Sequence, residues 1–313
     1  MPLAIVAPAF PGTGRTTRYG RVLVNRVPLE ETEVWKNEGL IGAADLPARL
    51  AEVSLAAELA DLEQVRRGAD VLRDRCVTWA RAGANVVVCD AELEADLVAI
   101  AAASLSLPHP RIWVGSGGLM RALIRALGLR LAAPAQSMRF GVTRPVLTVV
   151  GSTSRVSHDQ FDELACQRGI AALTIAPEAL RSGVKTQEVR HLGQALDVAL
   201  LSGSDVALAI DHRANVDLHE GPQLVALLAS LIAPRMQKLG GLVVTGGETA
   251  RAMMVRCGIS GLRLRGELEP GVPVGISIGA AEIPVVTKAG AFGSNTTLVR
   301  CRAALRGDAV NPS

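Results

Sequence analysis

The chain has 313 residues, with 33 lysines and arginines against 30 acidic residues and a formal net charge of +3. Its 49% apolar, 20% charged and 3% aromatic residues are an ordinary globular composition with aliphatic cores, at a length that suits two domains. The small charge, with no basic cluster interleaved with aromatics, argues against nucleic acid, and no apolar run reaches the roughly 18 residues of a membrane span.

Residues 3–7 read as a strand. The following loop, Pro8-Ala9-Phe10-Pro11-Gly12-Thr13-Gly14-Arg15-Thr16-Thr17, is rich in proline, glycine and hydroxyls and carries one arginine. It is either a surface turn or a ligand loop, since α/β proteins place their sites at strand ends. Residues 21–28 alternate weakly, like a hairpin arm. Val71, Leu72, Val77 and Trp79 predict helix across most of 45–82, with Gly83 as the stop. Asn85-Val86-Val87-Val88-Cys89-Asp90 is a buried strand ending on a carboxylate. A helix over 91–104 has acidic residues in its first turns, as the helix dipole favours. A strand at 111–114 then passes through Gly115-Ser116-Gly117-Gly118 into a helix over 119–127.

Pro134, Gln136, Ser137, Gly141 and Thr143 interrupt the pattern, so 136–144 is predicted as a linker between domains at 1–135 and 145–313. The second series opens with a strand at 146–150, the polar turn Gly151-Ser152-Thr153-Ser154 and a helix over 157–168. Strands at 171–175 and 205–210 flank a helix near 186–201. Leu224, Leu227, Leu228, Leu231, Ile232 and Leu239 repeat at helical spacing, with Pro234 as a kink. A strand at 242–244 meets Gly246-Gly247-Glu248-Thr249 and a helix to 255, and strands at 262–268 and 272–278 surround Glu269-Pro270-Gly271. The last strand, 283–287, ends in Lys288-Ala289-Gly290-Ala291-Phe292-Gly293-Ser294, and a helix over 296–305 closes the chain. Alternating strands and helices predict an α/β fold of two domains, each a mostly parallel sheet flanked by helices.

Three small-residue turns in the second half follow predicted strands. In a parallel sheet such turns share one edge, where free N–H groups and helix N-termini favour phosphate. Lys288 is expected to supply a point charge there. Glu248 either holds magnesium through water or caps its helix, and capping is favoured. No GxxxxGK[ST] loop occurs, and no GxGxxG fingerprint with its acidic partner, which counts against a dehydrogenase. Ser116 and Ser152 lack the GxSxG elbow. Asp211, His212, Arg213, Asp217 and His219 form a polar cluster with a weaker claim to catalysis or metal. The five cysteines, Cys76, Cys89, Cys166, Cys257 and Cys301, are scattered singly, against a disulfide framework or a zinc site.

Val243 to Ala250, Glu267 to Pro273 and Lys288 to Gly293 together resemble the nucleotide-binding C-terminal domain of the four-carbon acid sugar kinases. Val6 to Pro11, Gly14 to Thr17, Cys89-Asp90-Ala91 and Val114 to Leu119 are similar to the later part of that family's sugar-binding domain. The resemblance implies ATP-dependent phosphorylation of a terminal hydroxyl on threonate, erythronate or an oxo-tetronate, with Mg2+, at an active site expected in the cleft between the two domains. It implies ATP contacts at Ser152, Ser154, Gly246, Gly247, Glu248, Thr249 and Gly290. Acid-sugar contacts are expected at Arg15, Thr16, Asp90 and Ser116, with no resident protein-bound metal and a cytoplasmic location. The family's Asp-Asp-Leu-Thr-Gly-Ala and Asp-Ser-Thr-Leu-Arg-Gly type loops do not occur in this sequence. The expectation is therefore a shortened chain, with its catalytic base in the missing segment, that binds ATP but phosphorylates weakly or not at all. Residues 3–7 would then form an unpaired sheet edge, open to self-association into a homo-oligomer. The alternative is a non-catalytic nucleotide-binding module or a decayed kinase.

Overall fold

The computed structural model describes residues 2–32, 35, 39–108, 110–129, 139–151, 154–183, 186–211 and 220–308. The chain divides into two compact units, Met1–Ala133 and Pro134–Ser313.

The first unit contains, in order, β1 (Leu3–Ala7), β2 (Arg15–Arg18), β3 (Arg21–Val24), β4 (Val27–Pro28), α1 (Leu46–Glu52), β5 (Ala57–Ala60), α2 (Leu62–Arg66), α3 (Ala69–Arg81), β6 (Val86–Cys89), α4 (Glu94–Leu105), β7 (Arg111–Gly115) and α5 (Gly117–Ala126). Four strands form a parallel sheet in the order β5-β6-β1-β7. Leu3, Ile5 and Ala7 turn one face of β1 into a core with Leu72, Trp79, Leu97 and Leu119, while Val6 joins Val86, Val88, Leu46 and Leu50 on the other. The expectation of an unpaired edge at residues 3–7 is overturned. Ile5 pairs with Val87 on one side and Trp113 on the other, so β1 is interior. Among the described residues an exposed apolar edge lies at β7 instead, where Ile112 and Val114 remain 53% and 48% exposed.

Residues 57–60 also depart from the predicted helix. Ala-Glu-Leu-Ala has no intrinsic strand preference, but its pairing with Val86 to Cys89 on β6 overrides local propensity. Strands β2, β3 and β4 form a separate antiparallel sheet. Its two-residue turns, Tyr19-Gly20 (φ 52° and 73°) and Asn25-Arg26 (φ 51° and 69°), hold both central residues in the left-handed region, as type I′ hairpins require. Thr17 joins this hairpin to the exit of β6: its N–H donates to Ala91 O and its Oγ1 accepts from Ala91 N, each at 2.9 Å.

The second unit contains β8 (Val146–Val150), α6 (Arg155–Ala165), β9 (Ile170–Ile175), α7 (Pro177–Arg181), α8 (Gln187–Leu201), β10 (Asp205–Ile210), α9 (Gly221–Ile232), β11 (Gly241–Thr245), α10 (Gly247–Arg256), β12 (Ile259–Glu269), β13 (Val272–Gly279), β14 (Pro284–Lys288) and α11 (Thr297–Arg306). Its seven-stranded sheet runs β12-β13-β14-β11-β8-β10-β9. Five strands are parallel, and β12 and β13 close one side as an antiparallel hairpin. Both faces are covered. Leu147, Leu208 and Val244 pack with Leu196, Leu228 and Met253, and Val146, Val243 and Val286 pack with Phe161, Leu164 and Leu298. Pro234 does not kink a helix: α9 stops at Ile232, and the proline lies in a 3-10 turn over Ala233–Lys238. Of the predicted linker, residues 136–138 lie outside the described residues. Phe140 and Val142 dock on α11, donating to Ala304 O and Leu305 O at 3.1 and 3.0 Å.

Candidate functional site

Strands β14, β11 and β8 are neighbours, and Thr245 registers with Lys288 on one side and Val150 on the other. Three parallel strands therefore end level, and each runs into a turn of small residues. The turns touch. A Cβ added to Gly151 would lie 2.4 Å from Thr249 Oγ1, so the first turn meets the second only because residue 151 has no side chain. Gly246, at φ +92°, bends the chain from β11 into α10 and donates its N–H to Lys288 O at 2.9 Å. The next three N–H groups, of Gly247, Glu248 and Thr249, open the helix without an intrahelical acceptor, at the positive end of its dipole. Ser154 is the N-cap of α6, and Ser157 of that helix donates its hydroxyl to Gly290 O at 2.8 Å, tying the third turn to the first. Ser154, Gly246, Gly247, Glu248, Thr249 and Gly290 thus belong to one connected edge. Ser152 lies outside the described residues, as do residues 212–219 of the weaker polar cluster.

The Glu248 side chain is exposed and, among the described residues, makes no hydrogen bond or ion pair; it does not cap α10, whose N-cap is Gly246 with no side-chain bond. Lys288 also differs from expectation. It is 3% exposed, and its Nζ donates to Ala289 O and Gly290 O, each at 3.0 Å. Burial lowers its pKa to about 8. Gln160 supports the same loop by donating to Phe292 O and Ser294 O at 3.0 and 2.8 Å. Glu269 accepts from Thr297 and pairs with Arg300, so the Glu267–Pro273 motif braces the helix that follows the Lys288–Gly293 motif. Thr245 Oγ1 and Gln160 Oε1 are buried with no partner among the described residues. The sequence reading missed Ser157 and Gln160, because single polar residues within an amphipathic helix carry no motif. Among the described residues no group of three His, Cys, Asp or Glu side chains is arranged to hold a metal.

In the first unit, β6 leads directly into Asp90, which is 0% exposed. Its Oδ1 accepts from Gly20 N at 3.0 Å, fixing the Tyr19-Gly20 turn, while Oδ2 has no partner among the described residues. Burial raises this carboxyl to about 6; the Gly20 and Tyr19 N–H groups oppose the rise, and Asp61 and Glu92 add to it. Asp90 borders a cavity of about 300 Å3, with Arg18, Asp61, Glu63, Arg66 and Glu92 as further charged walls. Asp96 anchors this wall. It accepts from Arg66 Nε and Nη2 at 2.9 and 3.0 Å and from the N–H groups of Glu92 and Leu93.

Arg15, Thr16 and Ser116 do not line this cavity. Arg15 is partly buried; its Nε has no partner among the described residues, and burial lowers its pKa. Thr16 pairs with Leu23 in the hairpin. Ser116 caps α5, accepting from Gly118 N at 3.0 Å and donating to Ala9 O at 2.5 Å. Asp90 was visible in the sequence as a strand-end carboxylate. Arg18, Asp61, Arg66 and Glu92 were not, because three separate segments bring them together.

Residues 1–123 match the family model of a sugar-binding N-terminal domain, and residues 147–298 match that of a nucleotide-binding C-terminal domain. A D-threonate kinase of Cupriavidus necator is 45% identical over 299 residues, spanning 95% of this chain and 72% of that protein. The chain belongs to the four-carbon acid sugar kinase family. Other members of the family it resembles are a D-threonate kinase of Salmonella typhimurium, 32% identical over 95% of this chain and 72% of that protein, and a 3-oxo-tetronate kinase of Cupriavidus necator, 28% identical over 92% and 68%. The fold is shared with a solved protein of Salmonella typhimurium LT2, at a TM-score of 0.75 and 21% identity over 97% of this chain and 74% of that one.

Proposed function

We propose that this chain transfers the γ-phosphoryl group of ATP to a terminal hydroxyl of a four-carbon sugar acid, with D-threonate the first acceptor to test. The observation that carries the reading is the contact among three turns at the level ends of β8, β11 and β14, within the segment matched by the nucleotide-binding family model. Phosphoryl transfer asks chiefly for positioning and charge neutralisation. The N–H groups of Gly247, Glu248 and Thr249 suit phosphate oxygens, and we assign ATP to Ser152, Ser154, Gly246, Gly247, Glu248, Thr249 and Gly290. Mg2+ fits at Glu248, whose carboxylate is exposed and unengaged among the described residues. This ion commonly takes one or two carboxylates together with substrate phosphates, and when bound it neutralises phosphate charge.

For the acceptor we assign Asp90, with Arg15, Thr16 and Ser116 as the other candidates. The Oδ2 of Asp90, without a partner among the described residues, is suited to a substrate hydroxyl, and Arg15 to a carboxylate. The 45% identity to a D-threonate kinase sets the order in which acceptors are tried. The test is calorimetric titration of the purified chain with Mg-ATP, followed by a coupled ADP-release assay on D-threonate, D-erythronate and 3-oxo-tetronate. One ATP site per chain is expected, and no ATP binding would refute the reading. Binding without transfer to any of the three acids favours the non-catalytic module.

A further inference from the structure

The third turn differs from the other two in what holds it. Its carbonyls point into the protein, toward side chains. Ala289 O accepts from Lys288 Nζ at 3.0 Å, and Gly290 O accepts from Lys288 Nζ at 3.0 Å and from Ser157 Oγ at 2.8 Å. Further along, Gln160 Nε2 takes Phe292 O and Ser294 O. In a planar trans peptide the carbonyl and the N–H of one unit point in opposite directions. Drawing Ala289 O and Gly290 O inward therefore turns the N–H groups of Gly290 and Ala291 outward. Among the described residues neither N–H donates to a protein acceptor. The free donors of the second turn are the first N–H groups of α10, next to Gly246, whose own N–H is held by Lys288 O at 2.9 Å.

We infer that Lys288 is a positioning residue: its buried ammonium holds two carbonyls inward so that the Gly290 and Ala291 N–H groups face the same anion as the start of α10. The inference rests on the ATP reading above and assigns Lys288 a different role from a phosphate point charge. Its near-complete burial and two carbonyl bonds account for the side chain without a ligand. A lysine on this glycine-bearing turn thereby serves an anion through backbone, in the way of other main-chain anion nests.

Hydrogen–deuterium exchange on the nucleotide-free chain, paired with calorimetric Mg-ATP titration, separates the two roles. In Lys288→Met the turn loses its two ammonium bonds. Exchange at the protected amides of Phe292 and Ser294, bonded to Ala289 O and Thr297 Oγ1, should quicken by roughly tenfold or more, and ATP affinity should fall roughly 10- to 100-fold. Lys288→Gln keeps a neutral donor. It should lie nearer the native chain than Lys288→Met in both readouts, and it serves as the test variant if the Met form does not fold. Weaker ATP binding with native exchange in the nucleotide-free turn would overturn the inference in favour of direct phosphate contact. Faster exchange with unchanged ATP affinity would overturn it as well, by removing the turn from the site. If the native chain binds no ATP, the functional proposal fails by itself, while the exchange data still report whether Lys288 holds the turn.

Discussion

At the carboxyl edge of the seven-stranded sheet, the open polar groups among the described residues include the main-chain N–H donors of Gly247, Glu248, Thr249, Gly290 and Ala291. At the corresponding edge of the four-stranded sheet they are charged side chains around a cavity, with Asp90 at the end of β6 and Arg18, Asp61, Arg66 and Glu92 beside it. The difference follows from how each sheet is supported. The larger sheet is covered on both faces and its three turns are in contact, so its backbone is placed by strand register, by Gly151 and by the inward bonds of Lys288, Ser157 and Gln160. The smaller sheet borrows a hairpin, β2–β3, and fixes it with Thr17 and Asp90. One edge is shaped by glycine and strand register, the other by carboxylates.

The largest expected effect comes from breaking the backbone edge. Gly151→Val places a branched side chain where even a Cβ would come within 2.4 Å of Thr249 Oγ1 and 2.8 Å of Val225 Cγ1. Forcing the first two turns apart should weaken Mg-ATP binding by about a thousandfold in calorimetry, equivalent to about 4 kcal/mol. An affinity within threefold of native would show that the contact is dispensable. Next in size is Asp96→Ala, which removes the acceptor of two N–H groups and leaves Arg66 only its 3.4 Å bond to Glu92. Chemical denaturation should show a loss of about 2–3 kcal/mol in the first unit, with ATP affinity unchanged. A fall in ATP affinity would mean that the two edges are not independent.

A smaller effect is expected from pH. The carboxyl of Asp90 is raised from 3.8 to about 6, so between those values the folded chain holds a proton that the unfolded chain has released. Its contribution to stability is greatest below about 3.8 and is lost as pH rises through 6. Asp90→Asn keeps an oxygen for Gly20 N and removes the titration. The difference in melting temperature between variant and native chain should therefore grow from pH 4 to pH 7 in favour of the variant. A difference that does not change with pH would reject the assignment. The smallest expected effect is at Tyr19, exposed at φ 52°. Tyr19→Asn suits the left-handed turn and should add about 0.5 kcal/mol by thermal melting.

The glycine turns were readable because a strand running through glycine into a helix is written in consecutive residues. The same holds for Asp90 at the end of an unbroken apolar run. What escaped was non-local. Ala57 to Ala60 become a strand only beside β6, and β1 becomes an interior strand only when β7, more than a hundred residues later, pairs with it. The type of Lys288 was evident, but the direction of its side chain was not. A lysine after a strand can reach outward or fold back, and the choice depends on the carbonyls presented by the next two peptides. The cavity walls were hidden for a similar reason, since Arg18, Arg66 and Glu92 meet through a hairpin, a helix and a strand exit.

The main-chain character of the larger sheet's edge has a consequence for how the two halves can change. Replacing side chains in its three turns alters whether an anion fits but adds little new vocabulary, because the donors belong to the polypeptide itself. Around the cavity at the other edge the groups are side chains, of which Asp90 also holds Gly20 N, Arg66 also holds Asp96 and Asp61 also caps α2. On the acceptor assignment proposed above, a library at Arg18 and Glu63 is the place to seek altered acceptors, with the glycine turns left as they are.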